Sequence, residues 1–178
     1  SHIVVSCDND DPAIGSVIRQ WAPRTGVPVW WVRRASTGGE RLCQVRNNGV
    51  RHLVDHLNVT SGRLIVLDGD MVAPDELVEA HARGGREAPL VYPYRVNVDR
   101  ERSEALTAEG LLSGSLQLRR SPQDRAVLAK RDSRYRRQLL LRRLHLGPLH
   151  KPKLLGGHFS VDLGLYLELN GFDELYQG

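Results

Sequence analysis

An α/β fold with a mostly parallel sheet flanked by helices is what this sequence predicts, and three observations predict it. Short β-branched and aliphatic runs alternate with longer segments whose apolar residues recur at helical spacing. Helix-start signals, an acid or serine followed by proline, stand between them at Asp11-Pro12 and Ser121-Pro122. The most apolar run, Leu64-Ile65-Val66-Leu67, ends in Asp68-Gly69-Asp70, two carboxylates parted by a glycine. In open parallel sheets, ligands bind at the carboxyl ends of the strands.

The elements follow in order. His2–Ser6 reads as a buried strand, broken by Cys7-Asp8-Asn9-Asp10. Asp11 is the N-cap and Pro12 the first residue of a helix whose inward face is Ile14, Val17, Ile18 and Trp21. Pro23–Gly26 ends it. Val27–Val32 is a second strand, Ser36–Gly39 a loop, and Glu40–Leu57 a helix weakened in the middle by Asn47-Asn48-Gly49. Ser61-Gly62 turns into the strand that ends at Asp68. Pro74–Arg83 is helical, with Asp75 and Glu76 in its first turn, and Gly84-Gly85 terminates it. Pro89–Val96 is a further strand.

Beyond this point the patterning loosens. Glu104–Leu118 reads as a helix, and Ser121 caps another that runs to about Leu144 and stops at Gly147-Pro148. Lys153–Val161 is a strand interrupted by Gly156-Gly157. Asp162 caps a short helix through Leu169, and Asn170–Glu174 is a tight loop.

Bulk properties narrow the class. The chain has 178 residues, an apolar fraction of 40% and a net charge of +4. That is one domain's worth of chain. It has no apolar run long enough to cross a bilayer. Ser1–Val5 reads as a strand with no basic leader before it, and two cysteines, Cys7 and Cys43, make neither a disulfide framework nor a zinc cluster. Both are expected to be reduced thiols in a cytoplasmic protein, and the sequon Asn58-Val59-Thr60 is then unused. The charge is uneven: residues 119–153 carry 12 basic side chains against Asp124 and Asp132, whereas residues 1–118 carry 13 basic and 15 acidic. A cluster this basic suits an anionic membrane surface or a phosphorylated acceptor. Nucleic acid is a poor expectation, because only Tyr135 interleaves the arginines of Arg134-Tyr135-Arg136-Arg137. The plain alternative is a solvated helix face.

Asp68 and Asp70 are hard oxygen donors and suit Mg²⁺ or Mn²⁺; the ordinary alternative is an Asp-Gly turn after a strand. Four segments in order resemble family 2 glycosyltransferases of the GT-A fold, in the bacterial galactosyltransferase-like branch. They are Val4–Asp10; Gly39 with Arg46-Asn47-Asn48-Gly49; Gly62 with Leu64–Asp70, like the family's DXD-bearing segment; and Gly156–Ser160 with Asn170-Gly171-Phe172-Asp173-Glu174.

The resemblance implies a Rossmann-like GT-A domain over residues 1–178. Residues 1–96 would form its nucleotide and metal half, and residues 97–178, with the basic helix at about 121–144, its acceptor half. It implies transfer of a sugar, with inversion, from a nucleotide-diphosphate sugar donor such as a UDP-sugar to a glycan, lipid or small-molecule acceptor. Asp70 and Asp68 would hold Mn²⁺ or Mg²⁺, and Asp8, Arg46 and Asp68 would contact the nucleotide. Gly156, Gly157, His158, Asp173 and Glu174 would border the sugar and acceptor. Each has a plainer reading: a turn acid at Asp8, a solvated arginine at Arg46, a bulge at the glycine pair, a packed histidine at His158 and a turn closed by Asp173 and Glu174. The family's catalytic base belongs to a segment expected after Gly178, so no base is named here. The family's first strand, with its "PxYN"-like element, has no counterpart. A catalytically incomplete GT-A remnant that binds nucleotide, membrane or a partner is the alternative function.

Overall fold

The computed structural model describes residues 1–35, 41–113, 121–146 and 157–176. The expected loop at 36–39, the Gly147-Pro148 stop, and the strand's first residues with Gly156 lie outside them. The chain forms two compact units. The first comprises residues 1–66, 78–91 and 160–178, the second residues 67–77 and 92–159.

In the first unit, β1 (Ile3–Cys7) pairs in parallel with β2 (Val29–Arg33), Ile3 opposite Val29 and Cys7 opposite Arg33. Between them runs α1 (Pro12–Trp21), with Pro12 in its first turn and Asp11 Oδ1 accepting from the amide of Ala13 (2.8 Å). Gly15 lies where α1 crosses β2: a Cβ there would sit 2.8 Å from Cη2 of Trp31, so the missing side chain is what admits the indole.

The long helix expected from Glu40 to Leu57 is α2 (Leu42–Arg51), continued by a π-helical turn, His52–His56. Gly49 does not interrupt it. Its bare Cα faces β1, where an added Cβ would stand 3.3 Å from the Ser6 side chain, and Ser6 Oγ donates to the carbonyl of Val45 (2.7 Å). Close helix–strand packing accounts for a residue that helix propensity alone disfavours. Cys7 is half-buried and Cys43 buried, and both are free thiols.

The second sheet has the order β3-β5-β4, formed by β3 (Arg63–Leu67), β4 (Leu90–Val91) and β5 (His158–Asp162). β4 runs antiparallel to β5, Leu90 opposite Val161. The protein is therefore mixed α/β, with its described strands in two small sheets, one parallel and one containing an antiparallel pair. The strand expected over Pro89–Val96 shrinks to two residues. Pro89 and Pro93 lack amide protons and bracket the pairing, although the carbonyl of Pro89 still accepts from Asp162 N (2.9 Å).

α3 (Leu77–Glu87) also departs from expectation, because it runs straight through Gly84-Gly85. Those glycines serve close approach. A Cβ on Gly84 would meet the Val91 methyls at 3.1 Å, and one on Gly85 would fall on the Arg63 guanidinium. Arg63 donates to the carbonyls of Gly85 (3.2 Å) and Ala88 (3.0 Å) and to Ser160 Oγ (3.1 Å), so a strand arginine caps the helix's C-terminus. Ser160 is fully buried, and His81 Nδ1 lies 2.8 Å from its hydroxyl.

The helix expected over Glu104–Leu118 is two one-turn pieces where described, α4 (Arg100–Glu104) and α5 (Ala108–Leu112), capped by Asp99 and Thr107. Thr107 begins a new cap rather than continuing the first helix. α6 (Pro122–Arg143) matches its expected bounds closely, with a reciprocal capping box between Ser121 and Asp124. α7 (Leu163–Glu168) is capped by Asp162, whose Oδ1 accepts from Leu165 N (3.1 Å), as its sequence suggests. Among the described residues, the buried apolar side chains of the first unit are Cys43, Val50, Val161, Leu163 and Tyr166, drawn from α2, β5 and α7. Among the described residues no helix is long and apolar enough to cross a membrane.

Candidate functional site

The strand end at Asp68 lies in the second unit. The amide of Asp68 donates to the carbonyl of Gly157 (2.8 Å), so the DXD-like segment and the glycine strand, about ninety residues apart in sequence, meet backbone to backbone. A Cβ on Gly157 would overlap the Asp68 carboxylate, being 3.1 Å from its Cγ and 2.9 Å from the Met71 Cε. Only glycine lets the carboxylate lie over this backbone. The carbonyl of Asp68 accepts from Met71 N (3.1 Å), which closes the turn. Asp68 is half-buried and Asp70 exposed. Gly157 is buried and His158 beside it half-buried. Burial holds the His158 imidazole below its ordinary pKa, which favours its neutral form.

The chemistry of this donor set fits a hard divalent cation. Two carboxylates at one strand end leave most of the coordination shell to water or to phosphate oxygens, as small hard cations prefer. Among the described residues there is no cluster of three or more metal-ligating side chains.

The remaining predicted residues lie in the first unit. Asp8 follows the last residue of β1 and is half-buried. Arg46, on α2, places its guanidinium over the Phe172 ring, 5.4 Å from the centroid. That is a cation–π contact of the C-terminal loop, a setting neither sequence reading anticipates. Asp173 accepts from Leu175 N (2.9 Å), and Glu174 Oε1 accepts from Asn47 Nδ2 (2.8 Å) and from Arg51. Both acids therefore hold the loop together, Asp173 locally and Glu174 to α2. The Glu174 carboxyl is held below its usual pKa, first by the Asn47 side chain and then by Arg51.

Asn47 is the residue whose importance sequence reasoning missed. It is buried, and all its hydrogen-bonding capacity is engaged. Oδ1 accepts from the Tyr166 hydroxyl (2.6 Å) and from Phe172 N (2.9 Å), while Nδ2 donates to the Phe172 carbonyl (2.8 Å) and to Glu174. The Gly171 Cα comes so close that a Cβ would stand 2.6 Å from Asn47 Oδ1, and Gly171 itself has φ +69°. Burial pushes the Tyr166 hydroxyl up to about 12. The available signal was Asn47's place in the Arg46–Gly49 segment; nothing in the sequence marked Tyr166 or Arg51. A cavity of about 120 Å³ opens here, lined by Asn47, Val50, Arg51, Asp55, Tyr166 and Asn170 among others. That is below the roughly 300 Å³ of ordinary ligand pockets.

Comparison of the chain with protein-family models, with curated proteins and with solved structures finds no match.

Proposed function

We propose that the protein is a metal-dependent GT-A glycosyltransferase that moves a sugar, with inversion, from a UDP-sugar or similar nucleotide-diphosphate sugar to an acceptor hydroxyl. The observation that carries this reading is the seating of the Asp68 carboxylate against the bare backbone of Gly157. A turn acid needs no such partner, whereas a carboxylate held at a strand end beside an exposed second acid is equipped to face a ligand.

Asp70 and Asp68 would hold Mg²⁺ or Mn²⁺, which when bound neutralises the charge of a departing nucleoside diphosphate. Asp68 is fixed by its neighbours and Asp70 is free to reach outward. His158, which follows Gly157 in the chain, would offer a further hydrogen-bonding group.

Isothermal calorimetry with UDP and Mn²⁺ tests the proposal. UDP is expected to bind only when Mn²⁺ is present, and Asp70→Ala should abolish the binding. Gly157→Ala, which displaces the Asp68 carboxylate, should weaken it at least tenfold. Binding that ignores the metal, or no binding at all, refutes the assignment.

A further inference from the structure

The remaining strongly charged surface is α6. It carries eight basic side chains (Arg125, Lys130, Arg131, Arg134, Arg136, Arg137, Arg142 and Arg143) against Asp124 and Asp132. Its contacts define an inward side. Tyr135 packs on Tyr94 with ring centroids 5.9 Å apart, Asp124 meets Arg102 at 3.3 Å, and Arg131 donates to the carbonyl of Arg95 at 3.5 Å. Leu128, Asp132 and Gln138 are half-buried along or beside this side, and Leu141 is half-buried between Lys130 and Arg134.

At about 100° per residue, the opposite side is centred on Ala126, Ala129, Ser133, Leu140 and Leu144. All five are exposed, Leu140 by 57% and Leu144 by 56%. Arg125, Arg136 and Arg143 flank this line on one edge, and Lys130, Arg134 and Arg137 on the other. Both acids lie off it: Asp124 is turned to Arg102, and Asp132 reaches across to Arg136 from a half-covered position. Arg131 and Arg142 fall on the inward side with Asp124, and Val127 and Leu139 are exposed away from this line, but the outward face itself carries cations and no acid.

We propose that the outward face of α6 docks on a bilayer surface rich in anionic lipid. Two rows of long cations bracket a narrow apolar line, which lets guanidinium groups meet lipid phosphates while Leu140 and Leu144 touch the acyl boundary. Charge complementarity selects the partner's sign, and the leucine line selects a bilayer over a polyanion. Nucleic acid would supply phosphates but nothing for the leucines, and Tyr135, the helix's one aromatic, is spent on Tyr94. The apolar line is short, so binding is mainly electrostatic and salt-sensitive. This inference stands whether or not the protein transfers sugar.

Co-sedimentation with vesicles tests it, comparing pure phosphatidylcholine with mixtures containing phosphatidylglycerol. Binding is expected only to the anionic vesicles and should fade as salt is raised. Replacing Lys130, Arg134 and Arg137 together by Gln should lower the partition coefficient roughly a hundredfold. Leu140→Ser with Leu144→Ser should lower it severalfold while leaving its salt dependence intact. Arg19→Gln with Arg24→Gln, a control elsewhere in the molecule, should leave it unchanged. Equal binding to neutral and anionic vesicles overturns the proposal, as does an unaffected triple variant. So does tight binding of single-stranded RNA by a protein that ignores vesicles.

Discussion

Asn47 shows how one buried amide can organise a surface loop. Its four hydrogen bonds reach residues 119 to 127 positions away, from a buried side chain. Removing the side chain takes away the shared partner of the Tyr166 hydroxyl, the Phe172 backbone and Glu174, and such losses dominate the cost of polar truncations. Asn47→Ala should destabilise the protein by about 2–4 kcal/mol, read from urea unfolding followed by circular dichroism. The same hub predicts an alkaline transition. The hydroxyl of Tyr166 ionises near 10 when unfolded and at about 12 when folded, so the folded state favours its neutral form. That contribution to stability is whole below pH 10 and is lost as the pH climbs towards 12. Tyrosinate absorbance should include a late step at about pH 12, and Tyr166→Phe should remove it.

At the scale of elements, glycines decide what packs. Gly15→Ala raises intrinsic helix propensity by up to about 1 kcal/mol, yet the new methyl must displace the Trp31 ring. Overpacking of this kind costs about 1–3 kcal/mol, so the variant should be less stable on balance, with altered tryptophan fluorescence. Local chemistry was readable from the sequence wherever it is self-contained. The Asp11-Pro12 and Asp162 caps and the Ser121 box fall where their residues place them, because a cap needs only its own first turn. What could not be read depends on distant partners. Gly84-Gly85 looks like a helix stop until Arg63 is known to lie upon it. Likewise, the alternation of strands and helices announces an α/β protein but not which strands pair. Of the candidate site, the adjacency of Asp68 and Gly157 could be anticipated only as a role for glycine, whereas the binding of Glu174 to Asn47 and Arg51 had no local sign.

For the whole molecule, the decisive fact is that neither compact unit is a continuous stretch of chain. The first unit takes Val161, Leu163 and Tyr166 from the last part of the sequence, and these are three of the five buried apolar side chains among its described residues. Burial of one large aliphatic side chain contributes about 1.5–3 kcal/mol, comparable in sum with the whole stability of a small domain. A fragment comprising residues 1–96, the half that the sequence suggests for the nucleotide, should therefore show no cooperative thermal transition. Adding residues 157–176 as a separate peptide should restore part of it if the peptide is supplied in excess, as measured by calorimetry.

The Arg63 cap carries a consequence of another kind. Helix ends ordinarily fray on their own, and their last amides exchange with solvent through small local openings. The end of α3 is pinned by a guanidinium that belongs to a strand and is itself held by a buried serine of a second strand. The amide of Ala88, bonded to the carbonyl of Gly84, cannot be released by fraying while that arginine stays in place. Its proton should therefore exchange for deuterium on the timescale on which the sheet itself opens, which would make the tip of a helix a clock for the opening of a strand pair.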